Sequence, residues 1–345
     1  MPHPPPTIQP ASATAHPPAA PAGRTKPLQP LKGVRILSLA LNLPGPAALM
    51  RCRAMGAVCG KLEPLASLPP LSPLAPMSAP AAPASADPMS HYSPPAYAAL
   101  HTGIRVTSAD LKTPAGQRTL HRLLANTDVL LTSFRPSALA KLALGWPALH
   151  QRYPQLSQVA VVGAAGARAN ESGHDLTYLA ECGLVTGLAL PPTLYADMGG
   201  SLMVVEAILQ AVLAQKTAST PTGSYQQVAL SDAAAYLALP RQWGLTLPGP
   251  AAAVGGGHAG YAVYRCQDGR VDVAALEPHF AAALCRAVGL APPGPCESPA
   301  FLAAMSALMF TPAAHSTVAR FFKARTRAQL DALAASHDLP MHTLA

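Results

Sequence analysis

The prolines decide where this chain can fold. There are 39 of them in 345 residues, and each fixes φ and removes a backbone donor, so an all-helical protein is excluded. They also cluster. Residues 1–30 are Pro, Ala, Thr and His with almost no aliphatic content; they cannot bury enough apolar surface to offset ordering entropy and are expected to be disordered. Residues 65–95 are again rich in Pro, Ala and Ser and read as an irregular loop. Between the two clusters, Leu31-Lys32-Gly33-Val34-Arg35-Ile36-Leu37-Ser38-Leu39 is an apolar run ending at Pro44-Gly45-Pro46. An Ala/Leu/Met-rich helix follows to about Met55, Gly56 stops it, and a weak strand leads to Lys61-Leu62-Glu63-Pro64. Strand, loop, helix, strand is the opening of a parallel α/β layer.

The pattern continues beyond the second cluster. Val106 to Leu111 reads as a strand, Pro114 to Asn126 as a helix with proline in its first turn, Asp128 to Thr132 as a strand, and Ser137 to Tyr153 as a broken helix. Gln158 to Val162 is a buried strand. A helix from about Gly199 to Lys216 carries Leu202, Val205, Leu209, Val212 and Leu213 on one stripe. Tyr225 to Leu230 alternates as a strand, and Ser231 caps the next helix. Residues 248–258, ending Gly-Gly-Gly-His, read as a linker; beyond them Ala262 to Cys266 and Arg270 to Ala275 form a hairpin around Gln267-Asp268-Gly269, and helices fill most of the rest. The length suffices for two cores. The fold class is α/β, with a tail at 1–30, a large domain at 31–247 and a small α+β domain at 248–345.

Charged residues make up only 12% of the chain, and the net charge is +8. Lys and Arg are scattered singly, which argues against a nucleic-acid groove and for diffuse attraction to an anionic small molecule. The six cysteines form no C-x-x-C pair, which predicts no metal centre and small buried thiols in a reducing compartment. No charged leader precedes an apolar stretch and no run of ~20 apolar residues is present, so the expectation is a cytoplasmic protein with no membrane partner.

Two short motifs carry the chemistry. Gly173-His174-Asp175 and, further on, Ala196-Asp197-Met198-Gly199-Gly200 place an imidazole and a carboxylate at the starts of two helices. A base of each type on opposite sides of one carbon is what reversible proton transfer needs.

The ordered set of motifs resembles the class III CoA-transferase and α-methylacyl-CoA racemase superfamily. Its parts are the opening Leu31 to Leu37, Pro44-Gly45-Pro46, Asp110-Leu111-Lys112-Thr113-Pro114-Ala115-Gly116, Asp128-Val129-Leu130 with Phe134-Arg135-Pro136, and Gly173-His174-Asp175. Asp197-Met198-Gly199-Gly200, Leu276-Glu277-Pro278-His279-Phe280 and Arg325-Thr326-Arg327 complete it. The resemblance implies a Rossmann-like large domain, a smaller second domain, an interlocked homodimer, and an acyl-CoA substrate that brings coenzyme A with it, with no tightly bound cofactor. It also implies that the carboxylate at Asp197 either attacks the thioester, becoming an acyl anhydride, or shares proton transfer with His174. The histidine, and Pro44-Gly45-Pro46 with Leu43 where transferases carry glutamine, tilt the expectation toward racemisation. In that reading Asp175 and Glu277 orient His174, Tyr178 lines the same wall, and Gly199 and Gly200 let backbone N–H groups approach the ligand. Lys61, Arg105 and Arg135 match positions that hold CoA.

The chain departs from the family at His101-Thr102-Gly103-Ile104-Arg105-Val106, where the pattern is Asn-Arg-Gly-Lys-Arg-Ser; of three cations only Arg105 remains. Three readings follow. The first is 1,1-proton transfer on an acyl-CoA, the second CoA transfer through Asp197, and the third a CoA-binding scaffold without catalysis.

Overall fold

The computed structural model describes residues 28–65, 85–291 and 298–345. Most of the stretch at 1–30 and the middle of the loop at 65–95 lie outside the described residues. The first elements are β1 (Arg35–Ser38), α1 (Pro44–Ala54) and β2 (Val58–Glu63). Next come α2 (Met89–Tyr92), α3 (Pro94–Leu100), β3 (Arg105–Ser108), α4 (Pro114–Leu124) and β4 (Val129–Thr132). They are followed by α5 (Pro136–Lys141), α6 (Trp146–Arg152), β5 (Ser157–Val162) and α7 (Asp175–Glu181). The long α8 (Tyr195–Thr217) precedes β6 (Tyr225–Ala229) and α9 (Leu230–Gln242). Then β7 (Tyr261–Cys266), β8 (Gly269–Ala274), α10 (Pro278–Ala287), α11 (Pro299–Leu308), α12 (Pro312–Lys323), α13 (Arg327–His337) and β9 (Met341–Leu344) follow.

Two compact units divide the chain. One comprises the residues up to Val162 with Ser201–Val228; the other comprises Gly163–Gly200 with Ala229–Ala345. The expected boundary at 247/248 is not where they part. The Gly-rich stretch there is folded tightly on itself: a Cβ on Gly255 or Gly257 would collide with the carbonyls of Leu247, Gly249 and Pro250. A stretch this close-packed is a structured turn, not a linker.

The first unit is built on a six-stranded sheet of order β3-β2-β1-β4-β5-β6. β1 pairs in parallel with both β2 and β4, aligning Arg35 with Val58 and Ile36 with Val129. β4 (Val-Leu-Leu-Thr) and β5 (Ser-Gln-Val-Ala-Val-Val) are buried throughout, as strands covered on both faces must be. Leu37, Leu62, Leu120, Leu124, Leu130 and Leu149 share one core cluster. The segment Asp110 to Gly116 shows why its residues are those. Asp110 Oδ1 accepts the Lys112 N–H at 2.9 Å, the Thr113 hydroxyl donates to the Asp110 carbonyl, and Thr113 caps α4 by accepting the Gly116 N–H at 3.1 Å. Pro114 then opens the helix where no donor is needed. Strand order reverses between β2 and β4 on either side of β1, so the crevice beyond the carboxyl ends of β1 and β4 is the natural ligand site of such a sheet.

The second unit contains the sheet β7-β8-β9, antiparallel throughout, with β7 and β8 joined by the expected hairpin. Val271, Val273, Leu284, Val318, Phe322 and Leu330 form its core. A second cluster joins Tyr178 and Leu179 of α7, Ala196 of α8 and Ala234 of α9.

Several elements differ from expectation. α2 and α3 occupy part of the presumed loop at 65–95, with α3 entered through Pro94 and Pro95, which suit a first turn. β9 was not foreseen; its four residues are too short to show a period. α9 is preceded by Ala229, and Ser231 instead donates its main-chain N–H to the Gly163 carbonyl at 2.9 Å. The buried face of α8 is Val204, Val205, Ile208, Ala211 and Val212, while Leu202 and Leu213 are exposed; the true stripe is rotated because both candidate faces are apolar. That composition also makes α8 long and apolar enough to cross a bilayer, contrary to the expectation of no such run, but half of it is buried within the protein. The five described cysteines are free.

Candidate active site

α7 begins where Gly173-His174-Asp175 turns into a helix. His174 is extended (φ −142°, ψ 167°) and occupies the N-cap. Its main chain is locked from both sides by Thr177, whose hydroxyl accepts the His174 N–H at 3.1 Å and donates to the His174 carbonyl at 2.7 Å. That leaves the imidazole exposed and its backbone fixed. One turn later Tyr178 is buried; its hydroxyl lies where a Cβ on Gly163 or Gly173 would stand, so both glycines are required by this ring.

α8 places Asp197 in its first turn. The two helix starts are tied together by one bond: the buried Asp175 accepts the main-chain N–H of Asp197 through Oδ1 at 3.0 Å. Asp175 therefore serves Asp197, where the sequence suggested that it orients His174. Burial pushes the Asp197 carboxyl up to about 6; the charge of Asp175 adds to the rise, and the charge of His174 opposes it. A carboxyl raised this far exchanges protons near neutral pH. Imidazole and carboxyl thus lie in one compact unit and within electrostatic range of each other.

The remaining residues fall elsewhere. Gly199 and Gly200 lie within α8 facing α9: a Cβ on Gly200 would meet the Leu230 side chain at 2.4 Å, and one on Gly199 the Leu237 side chain at 3.0 Å. Their missing side chains serve helix packing, not the approach of a ligand. Glu277 stands exposed at the N-cap of α10 and is not among the charges that act on Asp197. Tyr178 packs into the core cluster instead of facing solvent.

In the other unit, Arg105 is exposed at the start of β3, and Arg135 is exposed at the N-cap of α5, directly after β4. Lys61 is different. Its ammonium is fully buried and paired with Asp87 at 2.5 Å and Glu63 at 2.8 Å. The expectation that Lys61 reaches a CoA phosphate is set aside, because its charge is enclosed. The partners were missed in the sequence. One signal was available: a lysine two residues before a glutamate inside an otherwise buried strand needs a counter-charge on the same face. Asp87, from a segment read as loop, left no signal.

The sequence model of CoA-transferase family III matches residues 31–345. The α-methylacyl-CoA racemase of Homo sapiens is 33% identical over 209 residues, 55% of this chain and 54% of that protein. The enzyme of the same name from Mus musculus is 29% identical over 275 residues, 75% of this chain and 65% of that protein. A succinyl-CoA–D-citramalate CoA-transferase of Chloroflexus aurantiacus is 30% identical over 202 residues, 55% of this chain and 46% of that protein. The matches thus span between about half and two thirds of these relatives' lengths. Among solved structures, the hypothetical protein Rv3272 of Mycobacterium tuberculosis superposes with a TM-score of 0.67 at 21% identity, covering 92% of this chain and 86% of that one. A CAIB/BAIF family protein from Brucella suis gives 0.67 at 22%, covering 92% and 85%. At such identities these two similarities speak for the fold.

Proposed function

The chain belongs to CoA-transferase family III, and we propose that it acts on acyl-CoA thioesters by moving a proton at the carbon beside the thioester carbonyl, with His174 and Asp197 as the acid–base pair. The observation that carries this reading is the Asp197 carboxyl raised to about 6, held through its main chain by Asp175 and within range of the His174 charge. One of the two groups takes the α-proton, and the C–H electron pair becomes the enolate. The other returns a proton to the opposite face and inverts the centre, and the reverse reaction exchanges the roles. Each group must both give and take a proton at the working pH, and an ordinary carboxyl near 4 would be a poor acid partner at neutrality because it is almost wholly ionised.

Arg105 and Arg135 are the exposed cations proposed to meet the CoA phosphates, with Arg135 beside the crevice after β4. The second unit exposes Leu188, Leu190, Tyr236 and Trp243, and apolar surface of this kind supports the proposal of a homodimer.

A second reading, CoA transfer, is favoured by the similarity to the Chloroflexus transferase. There the Asp197 carboxylate adds to the thioester carbonyl and CoA leaves as thiolate, giving an acyl anhydride; the thiolate then adds to the Asp197 carbonyl and expels the first acid as its carboxylate, a second carboxylate displaces the thiolate to form a new anhydride, and the thiolate attacks the new acyl carbonyl to give the product thioester and free Asp197. Incubation with 2-methylacyl-CoA in deuterium oxide separates the two. Deuterium at the α-carbon with CoA retained is expected; borohydride-trapped acyl-Asp197 without exchange would overturn proton transfer and establish the second reading.

A further inference from the structure

Lys61 sits in the first unit with an environment unlike that of any other described lysine. An ammonium has three N–H donors, and all three are accounted for. Asp87 Oδ2 lies at 2.5 Å, Glu63 Oε1 at 2.8 Å and His101 Nε2 at 2.9 Å. The Lys61 side chain and both carboxylates are at most 1% exposed. The three acceptors lie within 4.8 Å of one another, which is the spacing of ligands around one metal ion. Two carboxylates and an imidazole are also the donor set that first-row divalent ions accept.

The groups behind these ligands are arranged as second partners of a cation site are. His101 Nδ1 lies 2.7 Å from the Tyr97 carbonyl. That bond assigns the proton to Nδ1 and leaves the Nε2 lone pair for the cation. Tyr97 donates its hydroxyl to Glu63 Oε1 at 2.9 Å, and Ser85 donates to Glu63 Oε2. Asp87 Oδ1 accepts two main-chain N–H groups, Asn42 at 3.1 Å and Met89 at 2.9 Å.

Asn42 is the consequential contact. It lies between β1 and α1, in the loop beyond the carboxyl end of β1, and it holds a left-handed φ of 64°. Asparagine is among the few non-glycine residues that adopt that conformation, and the bond from its N–H to Asp87 ties it to the cluster. Asp87 grips this loop while its other oxygen is neutralised by Lys61.

We propose that Glu63, Asp87 and His101 form a cation site whose occupant is the chain's own Lys61 ammonium, and that this internal cation, through Asp87, sets the loop bearing Asn42. Lys61 is thus a positioning residue and not a phosphate ligand. Only the last step, from the loop to CoA, rests on the acyl-CoA reading above.

The experiment has two arms. In the wild-type protein, reductive methylation followed by peptide mass spectrometry is expected to leave Lys61 unmodified while exposed lysines react; a Lys61 that is methylated in free protein and protected by CoA would overturn the proposal. In Lys61→Ala, the emptied site is expected to bind one Co²⁺ per chain, with its visible absorption, raising Tm and restoring a CoA affinity that the substitution lowers at least tenfold. Lys61→Met, which fills the space with apolar atoms, is expected to bind none. No Co²⁺ binding by Lys61→Ala, or a CoA affinity unmoved by both substitution and metal, would overturn the proposal. If Lys61→Ala does not fold, the methylation arm decides. A wild-type protein that binds no CoA defeats the acyl-CoA reading, and the methylation, metal and Tm measurements still judge the cation site.

Discussion

Both units bury carboxylates, and they treat them in opposite ways. Around Lys61, every charge has a partner: Glu63 would be pushed up by its burial, but hydrogen bonds from Lys61 and Ser85 and the lysine charge outweigh that and hold it below its ordinary value. Around Asp197, burial drives the carboxyl up to about 6, and the charge of Asp175 adds to the rise where no ion pair among the described residues offsets it. The same physics, desolvation against pairing, yields a closed structural cluster in one case and a group ready to titrate in the other. What separates structure from chemistry here is not burial but whether the buried charge has been neutralised.

The sharpest break in that comparison is Asp197→Asn. Turnover on a thioester substrate is expected to fall about 10²–10⁴-fold, the range of a lost acid–base group, as read by α-proton exchange. Stability should move the other way. Asp197 ionises less readily in the folded chain than its ordinary value of 3.8 allows, so its contribution to stability is present below about pH 4 and is lost as the pH rises through about 6. The variant should therefore melt above the wild type at pH 7 and together with it at pH 4. A Tm that falls equally at both values would contradict the picture.

Glu63→Gln tests the opposite case. Its carboxylate is stabilised, so its contribution is present at neutral pH and lost on acidification. Breaking a buried ion pair costs about 3 kcal/mol or more, and denaturant titration at pH 7 should report a loss of that order that shrinks at low pH. No loss at pH 7 would show that the Lys61 cluster does not need this charge.

Asp175→Asn sharpens the contrast further, since the amide oxygen still accepts the Asp197 N–H while the charge is gone. The acid limb of the pH–activity profile should move down from about 6 by part of the rise only, because burial, the larger cause, is unchanged. The smallest effects are expected of Arg105→Ala and Arg135→Ala, each weakening CoA by roughly three- to tenfold, as exposed ion pairs do, with turnover at saturation unchanged.

Much of this was legible in the chain itself. β4 and β5 announce themselves because buried parallel strands are continuous apolar runs, and α4 because Pro114 falls in its first turn. His174 and Asp197 stand out because both fall where helices begin. Lys61 misled because a single strand cannot display its partners: Asp87 lies 26 residues on and His101 40 residues on, and only tertiary packing brings them to one nitrogen. Gly199 and Gly200 misled for a related reason. A glycine pair beside a catalytic carboxylate suggests ligand approach, and only the position of Leu230 and Leu237 reveals that another helix takes the space. The bond from Asp197 to Asp175 is not legible in the sequence, because Asp175 adjoins His174 in the chain and reaches the start of α8 only through the fold.

The interleaving of the two units has a consequence for biosynthesis. Each is assembled from two separated stretches of chain, with Gly163–Gly200 emerging before the final part of the first unit and Ala229–Ala345 after it. At a ribosomal pace of roughly 5–20 residues per second, the first unit waits on the order of ten seconds for β6 to follow β5. During that interval the edge of β5 that β6 will pair with is uncovered. A cut after Val228 leaves every residue of the first unit on one piece, but no single cut does the same for the second unit, whose parts flank Ser201–Val228.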